Sequence, residues 1–231
     1  MQGFDEYIKT FWEKHDQYIE DINSGAVPAN KWIKKSITQY QELHDNPKYE
    51  FRKAKVEKVV KYFSLLRIPI RNKIRQLEFI PYQTLIVANL FGWYHKDTDR
   101  RKYNYLYLYT ARKSNKTMFA VALNLYLLTE FQNPECILVG FTREQAGQAL
   151  KYGKDIVADS PALQKMLRSQ QYQIKYNRGN SRGHFKIMAG DKPKKIEGTN
   201  PSNSILDEAH GYDDEKIWQA VTTGTGARQN S

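Results

Sequence analysis

Tyr103 to Thr117 reads YNYLYLYTARKSNKT. Its first half, Tyr103 to Tyr109, is a β-type run in which tyrosines alternate with Asn104, Leu106 and Leu108, and a polar, basic turn follows. A helical pattern starts at once, with Phe119, Ala122, Leu123, Tyr126 and Leu127 on one face. Strand, loop and helix in that order are the setting of a phosphate-binding loop, usually G-x-x-x-x-G-K-[ST]. Its backbone N–H groups and lysine cradle phosphates while the hydroxyl reaches Mg²⁺. Here Lys116-Thr117 completes the pattern, but Thr110 and Asn115 stand where the two glycines would be. Asparagine is the residue after glycine that best tolerates φ > 0, so Asn115 is expected in the left-handed region. Thr110, Ala111, Arg112, Lys113, Ser114, Asn115, Lys116 and Thr117 form the candidate nucleotide loop. Taken alone, the stretch reads equally well as a basic turn after an edge strand.

The composition narrows the partners. The 231 residues suffice for one sizeable core, and a net charge of +11 favours a polyanion, nucleic acid or nucleotide, over a membrane. The single cysteine, Cys136, excludes an intramolecular disulfide, and the five histidines show no metal-ligand spacing, which fits a reducing, intracellular compartment. Asp5 and Glu6 with no apolar run after them argue against a signal peptide. The longest apolar stretch, near Leu85 to Phe91, is too short to span a bilayer.

Upstream of the loop, residues 1–76 read as helices only, a small helical subdomain. Phe4, Ile8, Phe11, Trp12, His15, Ile19 and Ile22 recur at helical spacing and stop at Gly25 and Pro28. A second helix carries Trp32, Ile33, Ile37 and Tyr40, and a third runs from Phe51 to Leu66 before Pro69. From residue 77 the character changes. Pro81 suits a first helical position, which puts Gln83 in the first turn, where its amide is able to read an adenine edge or simply face solvent. Downstream, Cys136 to Phe141 is a continuous apolar run, as in a buried parallel strand. Thr142 with Gln145 makes a capping box for a helix reaching about Ala158, and Ser160-Pro161 opens a shorter one. Tyr172 to Tyr176 and His184 to Ala189 read as strands around a turn at 177–183. Lys192 to Gly198 is a basic loop. The expected class is α/β, a mainly parallel sheet flanked by helices over residues 77–231, behind the helical region 1–76.

A second site sharpens the first. Asn203 to His210, NSILDEAH, is a short apolar strand that ends in two carboxylates. Parallel sheets present their ligand crevice at the C-terminal ends of strands. There Asp207 can hold Mg²⁺ with Thr117, and Glu208 can accept a proton from an attacking water. Two such motifs, each at a strand end, form a Walker A and Walker B pair.

These pieces resemble the ATPase half of the large terminase subunit of tailed bacteriophages. The resemblance rests on LEFIPYQ and NLFGW, the deviant loop YTARKSNKT, FTREQAGQAL, EGTNPSNSILDEAH and WQAVTTGTGAR, which run in order from about residue 77 to the end. It implies a P-loop motor that hydrolyses ATP with Mg²⁺ to pump double-stranded DNA into a procapsid in the cytoplasm of an infected bacterium. The implied partners are the portal protein, the small terminase subunit and further copies in a ring. The implied roles are Gln83 at the adenine, Lys116 at the β- and γ-phosphates, Thr117 and Asp207 at Mg²⁺, Glu208 as catalytic carboxylate and Arg112 as a cis arginine finger. The chain would end just before the strand with the coupling motif and before any nuclease domain. Two other readings stay open: another P-loop nucleic-acid translocase, such as a helicase-like ATPase, and a catalytically silent binding or assembly module.

Overall fold

The apolar run that begins at Cys136 is the centre of the observed sheet. In the computed structural model, which describes residues 2–70, 73–111, 113–190, 196, 198–212 and 215–225, strand β5 (Glu135–Gly140) lies between two parallel neighbours. These are β8 (Ser181–Ala189) and β9 (Asn203–Leu206). Two further strands, β7 (Gln173–Arg178) and β6 (Leu167–Ser169), extend the sheet beyond β8 in the order β6-β7-β8-β5-β9. Only β7 runs against the rest. Cys136 to Val139 are fully buried, as a strand covered on both faces demands.

Helices cover both sides. On one face lie α5 (Lys116–Glu130) and α6 (Arg143–Asp159), and Gly153 of α6 comes close enough to β7 and β8 that an added Cβ would sit 3.0 Å from Ile174 Cδ1. On the other face α8 (Lys216–Thr225) sets Ile217, Ala220 and Val221 against Ile137 and Val139, with Met188, Leu206 and Tyr212 around them. The capping box at Thr142 is formed in both directions. The Gln145 N–H donates to Thr142 Oγ1 at 3.2 Å, and the Thr142 N–H donates to Gln145 Oε1 at 3.3 Å. The short helix at Pro161 is α7 (Pro161–Gln164).

The helical region is present with strands inserted in it. Helices α1 (Phe4–Asn23), α2 (Lys31–Glu42) and α3 (Lys53–Ser64) match the apolar spacing. However, β1 (Tyr49–Phe51) pairs antiparallel with β4 (Trp93–His95), and β2 (Arg67–Ile70) pairs with β3 (Lys73–Gln76). Residues 1–76 are therefore not purely helical. Strands of three or four residues are too short to show a period, so hydrophobic spacing does not reveal them.

The chain forms two compact units, one of residues 1–64 and 76–107, the other of residues 65–75 and 108–231. This division cuts elsewhere than at residue 76. In the first unit α4 (Pro81–Gly92) buries Leu85, Val87, Ala88 and Phe91, and Leu85 and Ala88 share a core with Ile22, Ile37, Tyr40 and Trp93. In the second, β2 joins the larger sheet's surroundings, with the Arg67 N–H donating to Ser160 Oγ at 2.8 Å.

The strand expected over Tyr103–Tyr109 does not form. Those residues make no ladder, and Tyr107 and Tyr109 are 81% and 90% exposed. Alternation gives a stretch the side-chain habit of a strand, but a strand also needs a neighbour for its N–H and C=O groups, and none of the described strands supplies it. Of the basic loop at 192–198, only Ile196 and Gly198 lie within the described residues.

Candidate active site

The C-terminal ends of β5, β8 and β9 lie together, and the first turn of α5 faces them. Helix α5 starts at Lys116, and its N-cap is Asn115 at φ 60°, ψ 20°, in the left-handed region that the missing glycine would have taken. The Asn115 side chain makes no capping bond, so backbone tolerance is what suits it to this position. Lys113 is also left-handed, at φ 65°, and so is Glu208, at φ 53°. Among the described residues five non-glycine residues have positive φ, and three of them belong to this loop and the facing strand end. Backbone held in a costly conformation concentrates where function requires it.

The two motifs meet through side chains. Thr117 Oγ1 donates to Asp207 Oδ2 at 3.2 Å, and Lys116 Nζ lies 2.8 Å from Glu208 Oε1. The other Glu208 oxygen is 3.4 Å from His210 Nδ1. Lys116 and Glu208 are each about one-third exposed, so their pairing is partly screened and adds little to stability. Its significance is positional, because it holds a lysine and a carboxylate at one point of the crevice.

The end of β9 is fixed from behind. The Asp207 N–H continues the ladder to the Val139 carbonyl at 3.0 Å, and the Glu208 N–H donates to Asp207 Oδ1 at 3.1 Å. The Tyr212 hydroxyl lies within donor reach of two carbonyls, Val139 at 3.1 Å and Asp207 at 3.3 Å. Burial first, and then the Asp207 charge, push the Tyr212 hydroxyl pKa up to about 12. Gly140 ends β5 where an added Cβ would meet the Ala146 backbone nitrogen at 2.7 Å, which lets α6 start against the strand end. Deeper down, Asn203 of β9 donates its amide to Asn124 Oδ1, a fully buried residue of α5, and so ties the two motif-bearing elements together.

Lys116, Thr117, Asp207 and Glu208 are thus brought together. Thr110, Ala111, Lys113 and Ser114 lie in the loop before them, and Arg112 lies outside the described residues. Gln83 belongs to the first unit. It is buried rather than solvated, and its side-chain oxygen accepts from the Ile80 N–H at 3.2 Å at the start of α4. Sequence reasoning missed Tyr212, His210 and the Asn124–Asn203 pair as parts of the site. For Tyr212 the only signal was an aromatic five residues beyond Asp207.

The donor set suits a hard cation. A threonine hydroxyl and a carboxylate 3.2 Å apart are oxygen ligands of the kind Mg²⁺ takes. Among the described residues no cluster of three His, Cys, Asp or Glu is placed to hold a metal. A cation held by Thr117 and Asp207 would need its remaining ligands from outside the chain, which suits Mg²⁺ with its habit of keeping waters and substrate phosphates.

The family whose model matches residues 81–231, well over half of the chain, is the terminase large subunit, ATPase domain. The chain belongs to that family. No curated protein matches it. Among solved structures the large terminase of bacteriophage HK97 is similar, with a TM-score of 0.60 and 24% identity over 76% of this chain and 36% of that one. The ATPase domain of the Thermus phage P74-26 large terminase gives a TM-score of 0.43 at 16% identity, over 51% of this chain and 53% of that one. The HK97 likeness shows a shared fold, and this terminase chain spans 36% of the length of the HK97 protein. The family match begins at Pro81, inside the first compact unit, so family domain and compact unit do not coincide. Among the described residues no helix is long and apolar enough to cross a membrane.

Proposed function

We propose that this terminase domain hydrolyses ATP to drive double-stranded DNA into a procapsid. What carries the proposal is the meeting of Lys116 and Thr117, at the start of α5, with Asp207 and Glu208 at the end of β9. In this reading the loop N–H groups of residues 113–117 and the positive end of α5 bind the phosphates. Lys116, paired with Glu208 in the free site, turns its three donors to the β- and γ-phosphate oxygens when nucleotide binds. Thr117 Oγ1 and Asp207 would hold Mg²⁺, which when bound neutralises charge on the phosphates. A phosphate that draws Lys116 away leaves Glu208 Oε1 to accept the proton of an attacking water. His210 then orients Glu208 from its second oxygen. Arg112 supplies charge to the transition state.

The remaining partners follow from the same reading. They are duplex DNA, the portal protein, the small terminase subunit and other copies in a ring, met in the cytoplasm of an infected bacterium. Membership of the terminase family is what disfavours a helicase-like translocase. The test is Glu208→Gln. It keeps the shape of the side chain and its contact with Lys116 while removing the base, so turnover should fall about 10²–10⁴-fold. MgATP binding should stay within a few-fold of the parent. Turnover that survives the change refutes the role of Glu208.

A further inference from the structure

The sheet's two faces are unequally covered. Ladder partners place Arg168, Lys175 and His184 in one cross-strand row over β6, β7 and β8, on the same face as Arg182 and Lys186. The burial pattern agrees, since Ile174, Tyr176 and Phe185 are buried on the side of α6 while Arg168, Lys175 and Arg182 are exposed. Among the described residues, helix α8 packs on this face over β5, β9 and the end of β8, through Ile137, Val139 and Met188. The β6–β8 part of the face therefore carries four cations against one carboxylate, Glu135 of β5. Glu135 is 2.7 Å from Lys186 Nζ and 3.4 Å from His184 Nε2.

The sequence makes the bias sharper. From Ser160 to Gly190 there is no Asp or Glu and there are six Lys or Arg, although the whole chain holds 25 acidic residues. A merely solvated sheet face would interleave both signs, whereas this one selects a single sign over three strands. Neighbouring strands are about 4.8 Å apart and same-face residues along a strand about 6.8 Å apart, so these charges sit at spacings comparable to those of phosphates. Gln173 and Asn177 lie on the same face and add neutral amide groups of the kind that contact phosphate oxygens. We propose that the polar face of β6, β7 and β8 is a docking surface for the phosphate backbone of duplex DNA. The choice of DNA among polyanions rests on the packaging function proposed above.

The test is the salt dependence of binding to a short fluorescent duplex, measured on the full chain. Lys175→Gln with Arg182→Gln removes two exposed charges and leaves the Lys186–Glu135 pair intact. The slope of log affinity against log salt should fall by about 2, close to one for each lost phosphate contact. Melting temperature and nucleotide binding should not change. Lys34→Gln with Lys35→Gln on α2 removes the same charge elsewhere and should leave the slope nearly unchanged. The proposal is overturned by an unaltered slope in the sheet variant, by an equal fall in both variants, or by a parent that binds no duplex at low salt. It is also overturned if polyglutamate competes as well as duplex does. With nucleotide binding intact, each of these outcomes rejects the surface and leaves the ATP site standing. A parent that binds no nucleotide rejects the ATP site itself.

Discussion

Replacing Asn115 with alanine removes no capping hydrogen bond, because the Asn115 side chain makes none. The change acts on the backbone alone. At φ 60° an ordinary L-residue pays roughly 1–2 kcal/mol for the approach of Cβ to the carbonyl, and asparagine is among the few that visit this region routinely. Asn115→Ala should therefore destabilise the fold by about 1 kcal/mol, a fall in Tm of about 2–4 °C for a chain of this length. Asn115→Gly removes the steric penalty but frees the unfolded chain by about 0.4–1 kcal/mol, so the two nearly cancel and stability stays close to the parent. Asn115→Val, β-branched, should be worse than alanine. Urea denaturation of the three variants, with and without a magnesium-bound nonhydrolysable ATP analogue, reads both stability and affinity. Affinity should follow the same order, since the same dihedral aims the loop N–H groups. An alanine variant as stable as the parent, or a valine variant no worse than alanine, refutes the backbone account of this loop.

Two further outcomes follow from the structure. Tyr212→Phe keeps the ring beside Phe141 and removes a hydroxyl that serves the carbonyls of Val139 and Asp207, so it should cost about 1 kcal/mol in chemical denaturation. The raised Tyr212 pKa means that its contribution is complete below the unfolded value of 10.0 and is lost as pH rises towards about 12. The phenylalanine variant should lack that alkaline decline. At the acid end, burial pushes the Glu135 carboxyl up, but Lys186, the Asn200 N–H and His184 outweigh it and bring its pKa below the ordinary 4.5. The stability it contributes is present above pH 4.5 and lost as pH falls through the lowered folded value, so Glu135→Gln should flatten the acid limb of a stability–pH curve.

Much of the second unit was readable because its signals are local. Cys136 to Val139 have no polar residue to spare for solvent, which left a doubly covered strand as the natural solution. Thr142 and Gln145 carry complementary groups three residues apart, and they close on each other as expected. Asn115 was readable for the same reason, since the chemistry of one side chain restricts one dihedral. The meeting of Thr117 with Asp207 across ninety residues was readable only through two motifs, each placed by its own strand end.

What was not readable depends on partners distant in sequence. Tyr103 to Tyr109 alternates as a strand does, yet no ladder forms there, and pairing is decided by a neighbour that alternation does not specify. The β1–β4 pair joins Tyr49–Phe51 to Trp93–His95, three residues each, below the length at which a period shows. Gln83 was open to two uses, adenine or solvent. Burial gives its oxygen a third, the Ile80 N–H, because a buried first turn must satisfy its own donors. The direct contact of Lys116 with Glu208 was also hidden, since it depends on the left-handed turn at Glu208 after β9.

The central claim is that Lys116, Thr117, Asp207 and Glu208 form one nucleotide site. Calorimetry with a magnesium-bound nonhydrolysable ATP analogue, on the parent chain and on Lys116→Ala, tests it most directly. The parent should bind, and the variant should lose at least about tenfold in affinity, the worth of one charge-assisted hydrogen bond to phosphate. Equal affinity in the two proteins, or no heat and no thermal shift in the parent, would contradict the claim.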